Sequence, residues 1–199
     1  MTYTNFKFDT DSDGIALITW DMPGKSMNVF TEEVMNELDS IIDRVKGETA
    51  VKGAVFTSGK DSFSGGADLT MLKKMFQVYQ DEKDKNPQGA VKLLFDVAGR
   101  MTWLFRKLET SGKPWVSAIN GVCMGGAFEL SLACHGRVVA DAPKVKLALP
   151  EVKVGIFPGA GGTTRLAGIG TRRPLASSRV KSGENIRIGS IGTPSSVTW

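Results

Sequence analysis

Apolar positions recur along the first 166 residues with two alternating periods. Gly14–Trp20 (GIALITW) and Gly53–Ser58 (GAVFTS) are β-rich runs bounded by turn residues, and they predict strands. Between them, TEEVMNELDSIIDRVKG places Val34, Leu38, Ile41, Ile42 and Val45 on one helical face. Thr31 stands as its N-cap, Glu32 and Glu33 meet the positive end of the helix dipole, and Gly47 stops it. A Gly-rich loop after Ser58 leads into a helix from about Asp68, and a further helix spans Ala90–Leu108. The polar run DEKDKNPQG between those helices reads as a solvated connection. Next come a strand in PWVSAIN, a helix opened by Gly125 and Gly126, and β-runs in RVVAD and KVKLAL. Strands alternating with helices predict an α/β body over residues 1–167, with no internal repeat. Residues 168–199 are rich in Gly, Ser, Thr and Arg and carry no stripe of either period, so an irregular tail is expected there.

Composition narrows the function classes. With 199 residues and 41% hydrophobic content the chain can build one sizeable core. Its net charge of +4 lies in the last segment, where Arg172, Arg173, Arg179, Lys181 and Arg187 face only Glu184; the body is neutral. A basic stripe interleaved with aromatics is missing from that body, which argues against a nucleic-acid partner. Apolar runs break well before the roughly 18 residues of a spanning helix, and the N-terminus lacks a signal-peptide pattern, so a cytoplasmic location is expected. Cys123 and Cys134 fall in an apolar run without a CxxC pair or clustered histidines; buried, reduced thiols are expected, with no metal site. Neither GxGxxG nor GxxxxGK[ST] occurs, which removes the sequence warrant for a bound dinucleotide or a P-loop.

The candidate chemistry lies in three segments. In NGVCMGGAFELSLAC, Glu129 has only small or apolar helical neighbours, Val122, Gly125, Gly126, Leu132 and Ala133. An acid buried there is costly unless it is paired or kept neutral. In KLALPEVKVGIFPGAGGTTR, Glu151 follows Pro150 at a rigid turn that can aim its side chain into a cleft. Two carboxyls in unlike surroundings can differ in proton affinity and serve as acid and base. The glycine pairs in FSGGADL and CMGGAFEL each precede a helix, where backbone N–H groups can point outward; two such loops meeting in space would form an oxyanion hole. A Ser-His-Asp hydrolase would have to use His135, the single histidine, and no GxSxG elbow supplies its nucleophile.

FSGGADL, INGVCMGGAFELSLACHGRVVAD and LALPEVKVGIFPGAGGTTR together resemble the crotonase (enoyl-CoA hydratase/isomerase) superfamily, in particular the hydratase region of multifunctional fatty-acid oxidation α-subunits. The resemblance covers about residues 6–166. It implies a spiral of ββα units and assigns the family's two catalytic glutamates to Glu129, as base, and Glu151, as acid. It puts the oxyanion-hole amides at Ala67 and Gly126, an acyl-CoA contact loop at Ala67, Asp68, Leu69 and Thr70, and the adenine end near GKSMN, with Met27. The implied reaction is hydration of a trans-2-enoyl-CoA to a 3-hydroxyacyl-CoA in β-oxidation. Coenzyme A is then part of the substrate and no separate cofactor is needed; NAD belongs to a dehydrogenase region not recognisable in this sequence. The resemblance also implies an oligomer. Two alternatives stand beside it: an enoyl-CoA isomerase, and an inactive acyl-CoA-binding or assembly fragment. In the family the chain continues past GGTTRLAG with helices that cover the acyl pocket. The expectation for this chain is therefore a C-terminally truncated hydratase core of marginal stability and little activity.

Overall fold

Short alternating segments begin the fold, and one of them escaped the sequence pattern. The structure is a computed structural model that describes residues 2–171. Strand β1 (Phe6–Thr10) pairs antiparallel with β2 (Ile15–Trp20), so that Phe6 lies opposite Trp20 and Thr10 opposite Ala16. β1 is an edge strand that buries only Phe6, so its apolar alternation is weak. The turn between the two is closed by the Asp11 carboxylate, which accepts from the N–H groups of Asp13 and Ile15. β2 buries Ala16, Ile18 and Trp20 on one face, the two-residue period of a half-buried strand.

Parallel pairing then builds the main sheet, in the order β1-β2-β3-β4-β6, from β3 (Gly53–Ser58), β4 (Trp115–Ile119) and β6 (Gly136–Val139). Each parallel neighbour requires a crossover. Helix α1 (Glu32–Gly47) links β2 to β3 and buries the whole predicted stripe together with Met35; the Thr31 side chain accepts from Val34 N–H, as an N-cap should. Helices α2 (Leu69–Glu82) and α3 (Pro87–Glu109) link β3 to β4. They shorten the expected polar connection to residues 83–86, because α2 extends to Glu82 and Asn86 caps α3 through Gly89 N–H. Strand β5 (Cys123–Met124) and helix α4 (Gly126–Ala133) lead on to β6.

β5 pairs with β7 (Leu147–Ala148), all that forms of the expected KVKLAL strand. Single bridges, Phe30 to Ala67 and Ser64 to Cys123, extend this second layer across the chain. Aromatic side chains join the layers. Trp20 of the main sheet packs on Phe30 at 4.8 Å between ring centroids, Phe56 meets Phe63 edge-on, and Phe30 touches Phe105 of α3. Burying each such ring contributes about 1.5–3 kcal/mol. Asn28, fully buried, pins the same junction: its Oδ1 accepts from Met22 N–H, and its Nδ2 donates to Trp20 O and Ser58 Oγ.

Helix α5 (Gly162–Thr171) ends the described chain. The boundary at 167/168, drawn from composition, falls inside this helix. Within it, Leu166 packs against the core. The rest of the expected tail, residues 172–199, lies outside the described residues. No helix among the described residues is long and apolar enough to cross a membrane.

Candidate active site

The local fold around α4 explains why an acid is buried there. All eight residues of the helix are buried, so every side chain it carries needs a partner or an apolar neighbour. Glu129, only 3% exposed, satisfies one oxygen with backbone: its Oε1 accepts from Ala160 N–H at 2.9 Å and Gly162 N–H at 2.8 Å. Gly162 lies so close that a Cβ there would come within 2.8 Å of Glu129 Cγ and Oε1. Burial pushes the Glu129 carboxyl above its ordinary range and the charge of Glu151 adds to this; the N–H donors and Arg165 pull the other way.

Glu151 opens a 3-10 turn (Glu151–Val154) directly after Pro150 and is 8% exposed. Its Oε1 lies 3.2 Å from the point that a Cβ on Gly125 would occupy, and its buried Oε2 has no hydrogen-bond partner. Burial raises this carboxyl too, offset only by its own backbone N–H. Glu151 Oε1 thus lies at the start of α4, one turn before Glu129, whose backbone N–H bonds Gly125 O. The two acids differ in support. Glu129 has two N–H donors and a guanidinium favouring its charged form, whereas Glu151 has an orphaned oxygen that gains from carrying a proton.

The two glycine loops meet beside this pair. Phe30 binds the strand segment at Gly66 O and Asp68 N, which leaves the N–H of Ala67 on the other side of the strand; Ala67 N lies 3.9 Å from the point that a Cβ on Gly126 would occupy. Ser64 Oγ stiffens the segment by donating to Asn28 O and accepting from Gly66 N–H. Gly66 and Gly125 both have positive φ, 91° and 55°, and each precedes one of the expected donors. Such φ values are open to glycine at little cost and re-aim the following peptide N–H. A Cβ on Gly66 would come within 3.3 Å of Gly126 N and 2.8 Å of Met124 O, so the loops touch backbone to backbone. Among the described residues neither Ala67 N–H nor Gly126 N–H has a protein acceptor, and Gly126 is the first residue of α4, at the positive end of its dipole.

The remaining expected contact residues lie on the outer side of this cluster. Asp68 uses its carboxylate to cap α2, accepting from Thr70 N–H at 2.7 Å and Met71 N–H at 3.3 Å. Despite burial, the hydrogen bonds from this cap hold it below its ordinary value. Leu69 and Thr70 are exposed on the first turn of α2. Met27 is 37% exposed, with its Sδ against Gly65. Both cysteines are free and buried, and burial pushes their thiols up to about 12, away from reactivity. His135 Nδ1 accepts from Trp115 N–H at 3.1 Å, a structural bond. The sequence pattern missed Ala160, Gly162 and Arg165 as partners of Glu129; the glycine-rich spacing PGAGG was their only signal.

The sequence and the fold are similar to those of known proteins. The enoyl-CoA hydratase/isomerase family profile matches residues 10–181. The fatty acid oxidation complex subunit alpha of Shewanella halifaxensis is 41% identical over 162 residues, and that of Shewanella frigidimarina 43%; each match covers 81% of this chain. The chain spans only 21% of the length of these curated relatives. Among solved structures, an enoyl-CoA hydratase from Geobacillus kaustophilus superposes with a TM-score of 0.69 at 25% identity, covering 85% of this chain and 58% of its own. One from Bacillus anthracis gives 0.66 at 26% identity, covering 83% and 58%.

Proposed function

Since the chain belongs to the enoyl-CoA hydratase/isomerase family, and folds as its hydratases do, we propose that its site adds water across the double bond of a trans-2-enoyl-CoA thioester. The observation that carries this reading is the pair of carboxyls of unlike support beside two unpaired N–H groups. The thioester oxygen accepts from Ala67 N–H and Gly126 N–H, where negative charge develops as water attacks C3; one such donor is worth about 10²–10³ in rate. Glu129, whose two N–H donors and Arg165 favour its charged form against the effect of burial, takes a proton from the attacking water. Glu151, which favours its protonated form, delivers a proton to C2. The product is a 3-hydroxyacyl-CoA. No electrons change hands, so the step balances without a redox cofactor, and coenzyme A enters as part of the substrate. Met27, Leu69 and Thr70, exposed around the loops, are proposed contacts for the acyl-CoA.

An isomerase would need only one acid shuttling a proton between C2 and C4. The backbone-held carboxylate of Glu129 favours hydration, because it gives the water its base. Incubation of the chain with a 2-enoyl-CoA in H2¹⁸O, followed by mass spectrometry, separates the readings. Hydration puts ¹⁸O on C3, isomerisation moves the double bond without ¹⁸O, and a binding protein returns substrate unchanged; either of the last two results refutes the proposal.

A further inference from the structure

The loop that holds Glu129 is itself held, from outside the site. Arg165, on the first turn of α5, donates from Nη1 to Ala160 O at 2.8 Å. Its other nitrogens form a fork on Glu109 near the end of α3, Nε to Oε1 at 3.3 Å and Nη2 to Oε2 at 3.2 Å. The guanidinium side chain is only 14% exposed, so this is not a loose surface pair. Gly161 has φ of 90°, and a Cβ there would collide with Arg165 Nη1, so the glycine lets the guanidinium approach the backbone. A second tie from α3, Thr102 Oγ1 to Gly159 O at 2.9 Å, fixes the preceding peptide. The peptide C=O of Ala160 is thus bound by Arg165 while its N–H, with that of Gly162, is bound to Glu129.

We infer that Arg165, braced by Glu109, is a positioning residue for Glu129: it fixes the Gly159–Gly162 loop so that two N–H groups stay aimed at the carboxylate. Its charge acts in the same direction. The groups facing Glu129 are Glu151 from the 3-10 turn, which disfavours its charged form, and Arg165 from α5 with the two N–H donors, which favour it. From α3, Glu109 and Arg106 connect to Glu129 only through Arg165. Losing Arg165 removes the charge and frees the loop together, so both effects raise the proton affinity of Glu129.

The test uses the full chain with ¹³C-labelled glutamate, the Glu129 carboxyl signal being assigned by its loss in Glu129→Gln. In Arg165→Met the titration midpoint of Glu129 moves up relative to the wild type; an unmoved midpoint overturns the inference. Arg165→Lys keeps the charge and stem but loses the fork. It should keep most of the midpoint while amide exchange at Ala160 and Gly162 quickens, and unchanged exchange in a folded Arg165→Lys protein also overturns the inference. This second variant decides the matter if Arg165→Met does not fold. The kinetic arm rests on the hydratase reading: Arg165→Met lowers kcat about 10–100-fold with KM little changed, and moves the acid limb of the pH profile up. If the wild type does not hydrate at all, the hydratase reading fails while the titration still decides the role of Arg165.

Discussion

At the scale of single residues, the two acids trade stability for reactivity. Burial raises the proton affinity of Glu129 and Glu151 above that of an exposed glutamate. A carboxyl whose folded pKa exceeds its unfolded one favours folding fully below the unfolded value, and that contribution is lost as pH rises through the folded one. Glutamine keeps the size and an acceptor oxygen but removes the charge. Glu129→Gln and Glu151→Gln should therefore melt about 2–4 °C above the wild type at pH 8, and the gap should close toward pH 4. Thermal melts across that range check this, and a glutamine variant that melts lower throughout contradicts it. The oddity of Glu129 was legible because an acid among Gly, Ala and Leu breaks the apolar pattern. Its donors were not, because they lie 31 and 33 residues further on and reach it only once α5 packs. Asp68 illustrates the opposite difficulty: an acid before a helix serves equally as ligand contact or cap, and here its carboxylate binds Thr70 and Met71 N–H.

At the scale of elements, the site depends on two turns that only glycine tolerates. Gly66→Ala would place a Cβ 2.8 Å from Met124 O with φ at 91°, and backbone cannot move aside as a side chain can. Hydration should fall about 10²-fold or more, with acyl-CoA binding weakened less; kcat and KM measured separately decide this. Gly126→Pro deletes a donor directly, displacing only the flexible end of Met101, whose Cε lies 2.6 Å from the Cβ position. Proline is well tolerated at the first position of a helix, so α4 should form while one thioester donor disappears, at a cost of about 10²–10³ in kcat. Full turnover in that variant refutes the donor assignment. Away from the site, Thr31→Ala removes the cap of α1 and should cost about 1 kcal/mol with kcat unchanged, as denaturant melts and the same assay would show. Helix α1 was legible from its cap and stripe, and α4, buried on every side, only from the glycine pair that opens it. β1 was blurred because an edge strand that buries only Phe6 shows no period, and β7 because only two residues pair.

At the scale of the whole molecule, one aromatic junction sets how the site loops meet. Trp20, Phe30, Phe56 and Phe63 lock the main sheet to the layer that carries Ala67, while α3 and α5 hold the loop behind Glu129. Beside the Glu151 turn, Val152 is 80% and Phe157 76% exposed, although Glu129 and Glu151 are themselves buried. Water entering beside this exposed apolar surface would weaken each electrostatic contact in the site, so slow turnover by the same groups is expected. No sequence period reports this exposure, because it depends on what lies over the turn rather than on the turn. The most direct measurement follows the loss of 2-enoyl-CoA absorbance with the 199-residue chain and its Glu129→Gln and Glu151→Gln variants. The account predicts hydration by the wild type below about 1 per second, slower than the typical enzyme range, and none above background in either variant. Equal rates in all three proteins, or a wild type as inert as the variants, would contradict it.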